Sequence, residues 1–176
     1  MTILYSVISR GTTVLARHAA CAGNFQEVTE QILKQIPPED SKLTYSHDNY
    51  LFHYISENTI IYMCITDDVS IFVEIFNKLL LDEYLKINFS FQEFERSRAF
   101  LFLNEIKKKF QSVYGNRALT AIAYSMNTEF SRVLANEMKH YSDNQNIDTI
   151  SRVHGELDEL KEIMVKNIGK EGDFTF

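Results

Sequence analysis

The sequence contains no tryptophan, only two prolines, two cysteines and six glycines. Each shortage excludes something. Cys21 and Cys64 stand far apart with no partner spacing, which rules out a disulfide framework or a Cys-x-x-Cys site and fits a reducing compartment. Apolar residues are not short, at 45%, which argues against wholesale disorder. No apolar run reaches the roughly 18 residues a spanning helix needs, so no membrane span is expected in the chain as given. The first ten residues lack the basic start and small-residue cleavage site of a secretory signal. Basic charge is also short. Eighteen Lys and Arg face 24 Asp and Glu, a formal net charge of -6. That is not the electrostatic footprint of a nucleic-acid binder, and no nucleic-acid partner is expected. Lys107-Lys108-Lys109 reads as the wet face of a helix.

Catalytic motifs are missing as well. There is no glycine-rich phosphate loop, His-Glu-x-x-His or Gly-x-Ser-x-Gly. His18, His47, His53, His140 and His154 are scattered, with His47 expected in a turn and His53 flanking a sheet. Asp67 and Asp68 could be imagined as paired carboxylates, but neighbours on a strand point to opposite faces, and a strand-ending turn is the simpler reading. The expectation is a binding protein, not an enzyme, with no catalytic residue, no cofactor and no metal.

What is present is a patterned core, 45% of residues being apolar. Residues 2–9 and 13–18 form two short runs around Gly11, the signature of a β-hairpin. Asn24 and Glu27 have capping-box spacing, and Phe25, Val28, Ile32 and Ile36 follow at helical intervals until Pro37-Pro38. Residues 43–45, 50–55 and 59–66 are three further strands, with Cys64 as a small core residue in the last. Ala99, Leu103, Ile106, Phe110 and Val113 mark an amphipathic helix ending at Gly115. Phe130, Val133, Leu134, Met138 and Tyr141 mark another over 126–141. The order β-β-α-β-β-β-α-α predicts an α/β (α+β) domain: a five-stranded antiparallel sheet with helices on its faces.

After a polar linker at 142–149 the pattern narrows. Ile150, Val153, Leu157, Leu160 and Met164 are spaced 3, 4, 3, 4, and Asn167 takes the next seam position. This is a heptad seam, in which a polar residue sets register at a cost in stability. About two heptads are marginal alone, so the helix needs partners. A third core helix of the same domain is the plainer alternative.

The residues then become recognisable. Arg10-Gly11-Thr12-Thr13, Asn24-Phe25, the stretch from Glu27 to Leu33, Lys42 to His47, Tyr50 to Ile55, Cys64 to Asp68, Phe94 to Phe100 and Leu157 to Ile168 together resemble the longin-domain vesicle R-SNAREs. The resemblance implies a longin, profilin-like fold over 1–141, then over 150–168 the N-terminal half of a vesicle-side SNARE coiled-coil motif. It implies vesicle trafficking in endosomal and lysosomal transport and exocytosis, at the cytoplasmic face of those vesicles. The implied partners are Q-SNAREs (syntaxin and SNAP-25-like proteins), sorting adaptors, and the chain's own SNARE segment folding back in cis. Leu43 and Tyr45 match the family's groove-lining pair, although their shared parity is equally that of core positions. Ile150, Val153, Leu157, Leu160, Met164 and Asn167 match its first six bundle layers. A longin-type sorting adaptor without SNARE activity is the alternative.

Two stretches depart from the family. Removing residues 69–92 joins Asp68 to Glu93 and restores the pattern. The ends of that segment, Val69-Ser70 and Phe89-Ser90-Phe91-Gln92, can be encoded by splice-donor and splice-acceptor sequences, so a retained intron is one reading. The other is a genuine helix with Phe72, Ile75, Phe76, Leu79 and Leu80 on one face. At the other end, residues 169–176 replace the family's central arginine layer and membrane anchor with a divergent tail, and such a chain is expected not to drive fusion by itself.

Overall fold

The computed structural model describes residues 1–67, 85–143 and 165–167. In chain order these form β1 (Ile3–Arg10), β2 (Thr13–Ala19), α1 (Phe25–Leu33), β3 (Ser41–His47), β4 (Tyr50–Glu57), β5 (Ile60–Asp67), α2 (Leu85–Tyr114), a 3-10 turn (Gly115–Leu119), α3 (Asn127–Asp143) and β6 (Val165–Asn167). The strands make one sheet in the order β2-β1-β5-β4-β3-β6. Its first five strands pair antiparallel, as expected. β6 adds a short parallel strand to the β3 edge.

Alternation along the strands sends side chains to two separate cores. On one face Ile8, Leu15, Ile55, Tyr62 and Cys64 meet Phe100, Phe102, Leu103, Ile106 and Phe110 of α2 and Phe130, Leu134 and Met138 of α3. On the other, Val7, Val14, Phe52, Tyr54, Met63 and Ile65 meet Phe25, Val28, Ile32 and Leu33 of α1. Parity is broken where the register slips. Ile3 and Tyr5 face opposite cores across an irregularity in the β1–β5 ladder. The β1–β2 register steps from Ile8↔Ala16 to Ser9↔Val14, so Leu15 is an extra residue, a β-bulge.

Several local expectations are corrected. Asn24 starts α1 without a side-chain cap, and its carbonyl receives the Glu27 amide instead, so the capping box is not made. α1 ends at Leu33, and Ile36 stays buried in the turn before Pro37 because its side chain, not its backbone, is needed by the core. α2 starts at Leu85, ten residues before the expected start, so 85–92 of the 69–92 segment is helical backbone. The face of that segment defined by Phe72 to Leu80 lies outside the described residues. Val113, expected inward, is 57% exposed, because Tyr114 takes the buried place one turn after Phe110. α3 runs two residues into the supposed linker, and the Ser142 hydroxyl accepts the Ile3 amide at 3.0 Å. Lys107 and Lys109 sit on the helix rim and pair with Glu57 at 2.7 Å and Glu137 at 2.6 Å.

His53 does not flank the sheet. It lies inside it, 1% exposed. Its Nδ1 is 2.9 Å from the Thr44 hydroxyl and its Nε2 is 3.1 Å from the Thr66 hydroxyl, so β3, β4 and β5 are tied together through one ring. The ring also stands edge-on to Phe100 at 5.7 Å. Burial, reinforced by the Arg96 charge, drives its pKa down to about 3, and the imidazole is neutral. A neutral ring donates from one nitrogen and accepts at the other, which two hydroxyls can satisfy.

Candidate functional site

Three of the eight candidate binding residues, Leu43, Tyr45 and Asn167, lie at the β3 edge. β3 is extended because Ser41 to His47 alternate against β4, with Leu43↔Tyr54 and Tyr45↔Phe52 as direct partners. Leu43 and Tyr45, two apart, therefore share a face, and it is the α1 face. Leu43 is buried in the α1-side core, whereas Tyr45 is half-buried at its margin. The Tyr45 ring stacks on Tyr54 at 5.9 Å. Desolvation, then the neighbouring Tyr54, raises its phenol pKa, so the ring presents a neutral, amphipathic surface. The adjoining aromatic surface continues through Tyr5 on Phe25 at 5.9 Å and Phe25 against Tyr50 at 6.1 Å.

The outer edge of β3 carries β6. Val165 lies opposite Thr44, Lys166 opposite Tyr45 and Asn167 opposite Ser46. This differs from the heptad reading, in which 165–167 continue a helix and Asn167 is a bundle layer. An open β edge presents a row of backbone donors and acceptors, and an extended segment can satisfy them where a helix cannot. The other five layer positions, Ile150, Val153, Leu157, Leu160 and Met164, lie outside the described residues, as do linker residues 144–149 and the tail 169–176. Sequence reasoning missed β6. Its only signal was the β-branched Val165, and the stronger 3-4 spacing overruled it.

Elsewhere, a cleft of about 390 Å³ opens between β2, the start of α1 and the start of α3, lined by Tyr5, Arg17, Phe25 and Asn127 among others. Its one strong charge is engaged: the Arg17 guanidinium bonds the Gln26 amide oxygen and lies over the Tyr124 ring at 5.4 Å. Among the described residues no group of three or more His, Cys, Asp or Glu side chains could hold a metal ion, and no helix is long and apolar enough to cross a membrane. Asp67, imagined above as half of a carboxylate pair, accepts the Thr2 amide at 2.6 Å where β5 ends. The chemistry available at the β3 edge is strand addition beside an apolar shoulder, which is recognition of a polypeptide.

Comparison with known proteins agrees with that architecture. The longin family model, described as a regulated-SNARE-like domain, matches residues 15–70 and 75–134, with its break inside the 69–92 segment. Vesicle-associated membrane protein 7 of Rattus norvegicus and that of Homo sapiens are each 54% identical over 168 residues, covering 96% of this chain and 66% of the relative. Vesicle-associated membrane protein 7B of Dictyostelium discoideum is 39% identical over 171 residues, covering 97% of this chain and 56% of the relative. The chain thus spans a little under two thirds of the length of the first two relatives. The five antiparallel strands with their helices, and a family match over more than half of the chain, place this protein in the longin family of regulated-SNARE-like domains.

Proposed function

We propose that the chain is a vesicle-trafficking R-SNARE-like protein of endosomal and lysosomal transport, in which the longin domain controls when a C-terminal SNARE segment meets its Q-SNARE partners. It acts by binding and not by catalysis. The observation that supports this best is β6: a piece of the heptad-bearing segment lies on the β3 edge, in parallel register beside Leu43 and Tyr45. A segment held as a strand on the domain cannot at the same time be a helix in a bundle. The two states are mutually exclusive, so a partner helix and the β3 edge compete for the same backbone. Sorting adaptors that present an extended apolar segment would compete for the edge in the same way.

A reversible lock tests the competition. Ser46 and Asn167 are direct register partners. Ser46→Cys with Asn167→Cys, in a Cys21→Ser background, is expected to oxidise to a disulfide. Binding to an equimolar mixture of three Q-SNARE helices, read by pull-down and circular dichroism, should then be lost when oxidised and return on reduction. Equal binding in both redox states would show that β6 does not gate the segment. No binding in either state would remove the SNARE reading itself.

A further inference from the structure

The opposite end of the domain carries a second, unrelated surface. Among the described residues the exposed large hydrophobics are Tyr50, Val113, Leu119, Ile122 and Tyr124. Four of these five fall within one stretch, from the last turn of α2 through the 3-10 turn to the start of α3. Ile122 is 77% exposed and Leu119 45%. Nothing about core packing requires them there, because the neighbouring Ala118 and Met126 already plug the core from the same stretch.

The stretch is held firmly. The Tyr124 amide donates to the Val14 carbonyl at 2.8 Å and the Met126 amide to Leu15 at 3.3 Å. Arg10 Nη1 donates to the Ala118 carbonyl at 2.9 Å, and the Ser125 hydroxyl to Ile122 at 2.8 Å. Tyr124 is kept in the left-handed region at φ 58°. A non-glycine residue is rarely found there, and where it is, the surrounding structure imposes it. The exposed apolar side chains are thus displayed on a fixed scaffold.

The charge within these stretches is basic. Residues 113–125 contain Arg117 and no carboxylate, and residues 10–18 contain Arg10, Arg17 and His18 and no carboxylate. Among the described residues none of these arginines has a carboxylate ion pair. Arg10 contacts the Ala118 carbonyl, Arg17 the Gln26 amide, the Tyr5 hydroxyl and the Tyr124 ring, and Arg117 the Tyr114 ring. Two carboxylates flank the patch: Glu129 accepts the Tyr114 hydroxyl and Glu30 the Gln26 amide. In a chain of formal net charge -6 this is a local inversion.

From this pairing of exposed apolar tips with arginines that form no carboxylate ion pair among the described residues, we infer that the 113–125 stretch docks the domain peripherally on an anionic lipid surface. Ile122 and Leu119 enter the headgroup–acyl boundary, Tyr124 sits at headgroup level, and the exposed Arg117 faces lipid phosphates and carboxylates, with Arg10 and Arg17 adding to the local positive charge. The chemistry is that of interfacial binding, in which apolar contact and basic charge add. Because the charge contribution is screened over about a Debye length, the contact is weak and salt-sensitive.

The full chain is tested by flotation with vesicles of phosphatidylcholine alone and of phosphatidylcholine mixed with phosphatidylserine. Binding is expected to the mixed vesicles only, and to be lost at high salt. Ile122→Asp should weaken it roughly tenfold and Arg117→Ala roughly fivefold, while Lys108→Ala, on the exposed face of α2, leaves it unchanged. Circular dichroism confirms that each variant is folded, which the exposure of both side chains favours. The inference is overturned if folded protein floats with neither vesicle, if it floats equally with both, or if Ile122→Asp floats like the parent. It is also overturned if sedimentation shows that Ile122→Asp abolishes self-association while vesicle binding is absent, which would make the patch an interface between two copies.

Discussion

The two faces of the sheet are covered very differently. The α2/α3 face lies under a 30-residue helix and a 17-residue helix, and its rings interlock: Phe110 meets Tyr62, Tyr114 and Phe130, each within 6.0 Å. The α1 face lies under a single nine-residue helix, and at the β3 margin Tyr45 is left half-covered. One face is sealed and carries stability. The other is short of cover at one edge, and there the chain's own 165–167 are added as a strand. This division suits the proposed reversible binding at β3, because that edge can open without exposing the larger core.

Three measurements sharpen the contrast. Phe110→Ala should cost about 3–5 kcal/mol in urea unfolding, since it empties the centre of the ring cluster on the sealed face. A loss under about 1 kcal/mol would mean that this face is not the stability reservoir. The second measurement titrates His53. Its folded pKa, about 3, lies below the roughly 6.5 of an unfolded histidine. Between those values the unfolded chain binds the extra proton. Stability is therefore full above pH 6.5 and is lost as pH falls toward 3, by a few kcal/mol (on the order of 3) from this group alone. His53→Gln should remove that part of the slope, and parallel pH profiles for the two proteins would place the acid sensitivity elsewhere. The smallest effect is expected on the open face. Leu43→Ala should cost about 2 kcal/mol, at the low end for such a truncation, because a site at the sheet margin can relax or admit water. A cost equal to that of Phe110→Ala would erase the distinction between the faces.

Strand and helix positions were legible because their signals are local. Short apolar runs between turn residues announced β1 to β5, and the 4-3-4 spacing of Ala99, Leu103, Ile106 and Phe110 announced α2. The shared face of Leu43 and Tyr45 also follows from parity alone. Other features were not local. Val113 and Tyr114 both fit a helical stripe, and only the position of the neighbouring 3-10 turn and α3 puts Tyr114 inside, against Phe130. His53 carries no sign of burial until Thr44 and Thr66, nine and 13 residues away, arrive on either side of it.

The order of elements, the antiparallel sheet and the existence of two apolar faces were settled by the sequence itself, because hydrophobic periodicity and turn residues act over a few positions. Which face is sealed, which edge stays open, and whether Val165–Asn167 pair as a strand or extend a heptad helix were decided by tertiary structure. The physical reason is that a β edge satisfies an extended segment through backbone groups that every residue carries, so side-chain spacing along 150–168 holds almost no record of the edge it meets.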